Sequence, residues 1–349
     1  MSLRSLGRRL LTAGLALSLC IPAASAKEEV TPALQQQKIA DLSHYVLCLV
    51  RLTRLGATAQ EAQNLYHNLG PQQALALTDG DLSTQSVELL LQPNARPDRL
   101  ARYLAHTQRH PDLTADQVVT QINMDADRDF YTQAETITDP ADLLVLVNKH
   151  YALPDDYVPE LTALPQSYGR GSLHPTAAEA FVQMADAAWA DGLSLRCVSG
   201  YRSYKTQAST YRGNLAQASQ RWVDTYSARP GHSEHQTGLA VDINVARTSA
   251  HFENTAEFAW LQANCARFGF ILRYPEGADA ITGYRFEPWH YRYVGVETAQ
   301  ACTQQGITYE EYTASLPAAG QASQPLPSVF PGPPEVCFPT FTPPLLPIF

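Results

Sequence analysis

Two short stretches hold most of the side chains that could do chemistry. In PGHSEHQTGLAVDIN (230–244), His235 precedes Asp242 by seven positions. Pro230, Gly231 and Gly238 confine a loop, and GLAVDI reads as a strand with Leu239, Val241 and Ile243 turned to one side. Gly238, Ala240 and Asp242 then share the other side, where small residues beside a carboxylate leave room for something to approach. In FEPWHYRYVG (286–295), Glu287 and His290 stand three apart. Pro288 and the aromatic content argue against a helix there, so the pair converges only if a turn precedes a strand beginning at His290. Taken singly, each stretch reads as ordinary structure, an Asp beside a core strand and an aromatic edge strand with a packed His. Together they change the reading. Two histidines and one carboxylate complete the protein's share of a catalytic zinc site that keeps a fourth position open. A second carboxylate beside a ligand is what such a site needs for proton transfer. No cysteine lies near either stretch, which excludes a structural Cys-type zinc site.

These residues need a scaffold. HPTAAEAFVQMADAAWADGL predicts a helix, with Pro175 in its first turn and Gly192 just past its end. SLRCVSGYRS predicts a strand that breaks at Gly200, followed by a helical stretch over 203–228. TAEFAWLQANCARFGF predicts a helix closed by Gly269; FILRYP and YRFEPWHYRYVG predict strands, and 299–313 one last helix. LLVLV, at 143–147, has the continuous apolar character of a short buried strand or a docking segment. Interleaved helices and strands with short connections predict an α+β domain, a mainly antiparallel sheet flanked by helices, over 139–313. Ahead of it, 27–138 reads as a small helical accessory region, with Thr58 and Glu61 spaced as a capping box. Residues 314–349 are rich in Pro and read as a disordered tail.

In this order and at these separations, SGYRSYKTQ, PGHSEHQTGLAVDI, GFILRYP and EPWHYRYVG resemble the zinc D-alanyl-D-alanine carboxypeptidases of the VanY type and the similar LD-carboxypeptidases. NMDADRDFY and LVNKHYALPDDYVP also look like this family's lead-in, so the resemblance spans about 120–296. It implies a hedgehog/DD-peptidase-like fold and zinc held by His235, Asp242 and His290, with Glu287 as catalytic base. Arg202 matches the family's arginine, which would stabilise an oxyanion or hold the substrate's carboxylate end. Gln207 and Ser233 match positions that contact the peptide, and Tyr274 and Trp289 match aromatics lining the pocket. The resemblance implies removal of the C-terminal D-alanine from peptidoglycan stem peptides. An endopeptidase with the same zinc machinery, or a non-catalytic wall-binding module, would carry the same motifs. His232 is read as structural rather than as a ligand.

Composition agrees with an exported enzyme. Charged residues are scarce at 17%, and the net charge of −9 argues against nucleic acid or an anionic membrane surface as partner. Arg4, Arg8 and Arg9, an apolar run over 10–21 and Ala24-Ser25-Ala26 have the form of a signal peptide over 1–26, cleaved near Ala26. The apolar run is shorter than the roughly 20 residues a spanning helix needs, and no later segment is apolar enough to span. The expected location is therefore extracytoplasmic, in the periplasm or cell wall of a bacterium. Five cysteines remain beyond Cys20, none in a CxxC pair; one or two disulfides are expected, with Cys337 left over.

Overall fold

The computed structural model describes residues 32–67, Leu69 and 82–317. The expected signal peptide over 1–26 and most of the Pro-rich tail, Cys337 included, lie outside the described residues. The N-terminal part is built from helices α1 (Pro32–Arg54), α2 (59–67), α3 (Thr84–Leu90), α4 (Leu100–Arg109) and α5 (Ala115–Asn123). Their starts follow local chemistry. The Thr58 amide donates to the Glu61 carboxylate at 2.7 Å while the Glu61 amide donates to the Thr58 hydroxyl at 3.2 Å, and Thr114 with Gln117 does the same for α5. Two short pairs follow: β1 (Glu135–Thr136) beside β2 (Tyr151–Ala152), and β3 (Thr162–Ala163) beside β4 (Ser172–Leu173).

The central sheet comprises β5 (Arg196–Ser199), β6 (Ala240–Asn244), β7 (Phe270–Leu272) and β8 (His290–Tyr293), in the order β5-β6-β8-β7, every pair antiparallel. Helix α6 (Pro175–Ala190) covers one face. Its Ala177, Ala178, Phe181, Met184, Ala185 and Ala188 recur at helical spacing and pack with Leu239, Val241, Ile243 and Tyr291 in one apolar core. Phe181 is fully buried there. Phe181→Ala is expected to lower stability by about 3–5 kcal/mol, read as a fall in the chemical-denaturation midpoint. A loss under about 1 kcal/mol would mean that the core collapses around the cavity.

Alternation along the strands puts the complementary set on the other face. Asp242 pairs in register with His290, and Arg292 lies two residues further along β8 on the same side. Helices α7 (Tyr204–Leu215), α8 (Gln220–Val223), α9 (Ala256–Asn264), α10 (Asp279–Thr282), α11 (Val296–Gln305) and α12 (Tyr309–Ser315) complete the fold.

Two expectations are corrected, and one alternative left open is decided. Residues 143–147 form no strand: Val145 and Val147 are buried, but the carbonyls of Leu143 and Val145 accept hydrogen bonds from the Arg292 guanidinium at 3.1 and 2.9 Å instead of from a neighbouring strand. The segment docks on β8. The single helices expected over 203–228 and 299–313 are each divided. In the second, Gly306 takes a left-handed conformation (φ 65°) that closes α11, and Thr308 then caps α12. Finally, Cys48, Cys197, Cys265 and Cys302 are free buried thiols, so no disulfide forms among the described residues. Cys48 and Cys302 belong to apolar clusters separate from that of Cys197 and Cys265.

Candidate metal centre and active site

The sheet and three turns bring the reactive residues together. His235 sits on a 3-10 turn over Glu234–Thr237, which ends at Gly238 with φ 71°. A side chain at Gly238 would be strained, and its Cβ would meet the His174 amide nitrogen at 2.9 Å. The chain can therefore turn sharply from the His235 imidazole into β6. On the other side, the His290 amide donates to the Glu287 carbonyl at 3.1 Å, closing the turn that lets two residues three apart face one site.

His235 Nε2 lies 3.4 Å and His290 Nδ1 3.2 Å from Asp242 Oδ1, and the imidazole rings stand edge to face at 5.0 Å. One ligand atom from each residue falls within 4.8 Å of the others. The remaining ring nitrogens are engaged. His235 Nδ1 bonds the Gly200 carbonyl at 2.7 Å, and His290 Nε2 faces the Glu234 carboxylate at 3.4 Å. These partners place the ring protons on the far sides, so both imidazoles turn lone pairs toward Asp242. Asp242 Oδ1 is itself buried without a hydrogen-bond partner. Three electron-rich atoms converging in a buried space are repulsive unless a cation lies between them. The protein alone makes the same demand. Burial disfavours an imidazolium at His290, yet Asp242 and Glu234 overcome it and push the pKa up to about 9. The donor set of two nitrogens and one carboxylate oxygen fits zinc.

Glu287 stands beside this centre, its Oε2 3.9 Å from His290 Nδ1. Burial, together with the negative charge of Asp242, pushes its carboxyl up to about 7 against the pull of His290, Arg202 and Arg285. Arg202 enters from the turn after β5, with Nη2 3.8 Å from Asp242 Oδ2. Its guanidinium donates to Ser199 Oγ and to Gln207 Oε1, both at 3.0 Å, while Gln207 Nε2 donates to the Ala228 carbonyl at 2.6 Å. Gln207 therefore fixes Arg202 as well as lining the site. Ser233, Tyr274 and Trp289 complete the set of residues singled out in the sequence, and all nine line one cavity of about 140 Å³. Tyr274 packs its ring 4.9 Å from that of His290, and Trp289 is partly exposed at the rim. His232 stays apart from the donor set, its Nδ1 bonded to the Asn148 carbonyl at 2.8 Å.

Several residues of the site were not singled out in the sequence. Tyr226, Ser227, Ala228 and Tyr284 form part of the wall. Glu234, adjacent to His235, is fully buried between Arg273 and Arg292, whose charges hold its carboxyl well below the usual range despite burial. A charged residue in an otherwise apolar strand, as in FILRYP, was the available signal for the arginines.

The family model for VanY, D-alanyl-D-alanine carboxypeptidase, matches residues 170–296. The putative carboxypeptidase YodJ of Bacillus subtilis (strain 168) is 40% identical over 189 residues, 51% of this chain and 69% of that protein. The bifunctional D-Ala-D-Ala dipeptidase and D-Ala-D-Ala carboxypeptidase VanXYC of Enterococcus gallinarum is 35% identical, over 48% of this chain and 92% of its own. Among solved structures, that of the LdcB LD-carboxypeptidase matches with a TM-score of 0.50 at 38% identity, covering 54% of this chain and 94% of the other.

Proposed function

Because the chain belongs to the VanY family of D-alanyl-D-alanine carboxypeptidases, we propose that it removes the terminal D-alanine from peptidoglycan stem peptides. The observation that carries this is the convergence of His235 Nε2, Asp242 Oδ1 and His290 Nδ1 on one buried point, with the Glu287 carboxylate beside it. These three residues would hold zinc, which when bound would supply a Lewis acid to polarise the scissile carbonyl and acidify water. Glu287 takes the proton of the attacking water on its carboxylate and passes it to the leaving amine nitrogen of D-alanine. A carboxyl poised near neutrality suits both directions of that transfer. Arg202, braced by Ser199 and Gln207, offers a fixed fork to the developing oxyanion or to the terminal carboxylate. Ser233, Tyr274 and Trp289 shape the pocket that receives the terminal residue.

In the same reading the enzyme works outside the cytoplasm, delivered by the leader over 1–26. Residues 139–313 carry catalysis, with 27–138 as a helical accessory region and 314–349 as a tail. No helix among the described residues is long and apolar enough to cross a membrane.

The test is incubation of the zinc-loaded chain from Lys27 with separate tetrapeptide and pentapeptide muropeptides, with products weighed by mass spectrometry. Loss of one alanine from pentapeptide alone assigns DD specificity; loss from tetrapeptide assigns LD specificity. Removal of zinc by a chelator should abolish either activity, and zinc readdition should restore it. A zinc-bound chain that trims neither peptide overturns the proposal, and a cut inside the stem peptide replaces it with an endopeptidase.

A further inference from the structure

Helix α12 lies beyond the span matched by the family model, yet one of its side chains reaches toward the metal centre. Arg273 lies fully buried between two carboxylates. Its Nη1 and Nη2 donate to both oxygens of Glu310 at 2.8 and 2.6 Å, and its Nε donates to Glu234 Oε1 at 2.8 Å. The same Glu234 oxygen accepts from Arg292 Nη1 at 3.0 Å, and the other, Oε2, faces His290 Nε2. Two buried cations are thus balanced by two buried anions, and the Tyr309 ring lies over both guanidinium groups, 5.5 Å from each.

We infer that Glu310 is a positioning residue for the metal centre, acting on His290 through Arg273 and Glu234. The inference rests on the zinc reading above. A guanidinium is planar, so the bidentate grip of Glu310 on one edge fixes where Nε points on the other. That direction sets the Glu234 carboxylate, whose Oε2 orients the His290 ring and raises its basicity as a ligand. Without the charge of Glu310, Arg273 leans on Glu234 alone, and Glu234, already shared with Arg292, has less negative charge to offer His290.

The rest of the chain anchors this strut. Glu310 stands in the first turn of α12, which Thr308 and Glu311 cap reciprocally, and Asn148 Nδ2 reaches Glu310 Oε1 at 3.4 Å. At the far end of α12, Asn94, from the turn after α3, and Asn123, the last residue of α5, both donate to the Ala314 carbonyl, at 3.0 and 3.2 Å. The helical region therefore holds in place the helix that braces a metal ligand.

Zinc dissociation constants, measured on the full chain by competition with a chromophoric chelator, test this. Glu310→Gln is expected to weaken zinc binding about tenfold, Glu234→Gln by up to about 100-fold, and the visible spectrum of the cobalt(II)-substituted protein is expected to shift in both. Glu310→Asp, which keeps the charge but shortens the reach, serves if Glu310→Gln does not fold, with a smaller weakening expected. An unaltered zinc constant and cobalt spectrum in the Glu310 variant, with only a lower melting temperature of the metal-free protein, would overturn the inference and leave α12 a structural prop. A wild-type chain that binds no zinc would sink the metal reading itself, whatever the variants do.

Discussion

Glu287→Gln is expected to lower kcat on the preferred stem peptide by about 10²- to 10⁴-fold while zinc content stays at the wild-type level. The amide is nearly isosteric but cannot accept a proton from water, so the substitution removes the transfer and leaves the shape. Zinc should remain because Glu287 is not one of the three converging donors; its carboxylate Oε2 stands 3.9 Å from His290 Nδ1. Steady-state kinetics paired with metal analysis check both halves. A loss below about tenfold would remove Glu287 from the base role, and a loss of zinc would make it a ligand instead.

Asp242→Ala should give the opposite pattern. Asp242 is central to the donor set, within 3.4 Å of both imidazoles, and it contributes the only carboxylate of the three. Its removal is expected to weaken zinc by more than about 100-fold, beyond the range seen when a partner of a ligand is removed. Turnover should fall to background at ordinary zinc concentrations and recover in part when zinc is raised. The two variants therefore separate chemistry from metal binding: one keeps the ion and loses the reaction, the other loses the reaction with the ion. Retention of full zinc affinity by Asp242→Ala would mean that the three residues do not form the site.

Much of this geometry was legible because local chemistry and long-range order agree. GLAVDI alternates cleanly, and the face it assigned to Leu239, Val241 and Ile243 is the face packed under α6. Gly192 follows the end of α6 at positive φ, and Gly269 closes, also at positive φ, the 3-10 turn Cys265–Phe268 into which α9 tightens. The turn required before His290 forms, since Pro288 stands where a helix could not continue. The residues of the site that escaped notice did so for a physical reason. Arg273 and Arg292 sit among tyrosines and aliphatics, and a pattern of apolar residues does not reveal that two carboxylates far along the chain, Glu234 and Glu310, neutralise them. Arg292 shares the His290 face by simple two-residue alternation, so its side of the strand could be read; its partners could not. LLVLV left strand and docking segment open for a related reason. Its hydrophobicity reports burial, but its carbonyls are claimed by a guanidinium rather than by a strand, and composition does not register who accepts a hydrogen bond.

The four buried thiols have a practical consequence. Burial pushes each of them upward, Cys197 and Cys265 to about 12, so at neutral pH none of the four presents a nucleophilic thiolate while the chain is folded. An alkylating reagent can reach them only when the surrounding cluster opens. Because Cys48, Cys302 and the Cys197–Cys265 pair belong to three different clusters, each carries a separate clock. Timed alkylation followed by peptide mapping would therefore report how often each part of the molecule breathes, without any residue being substituted.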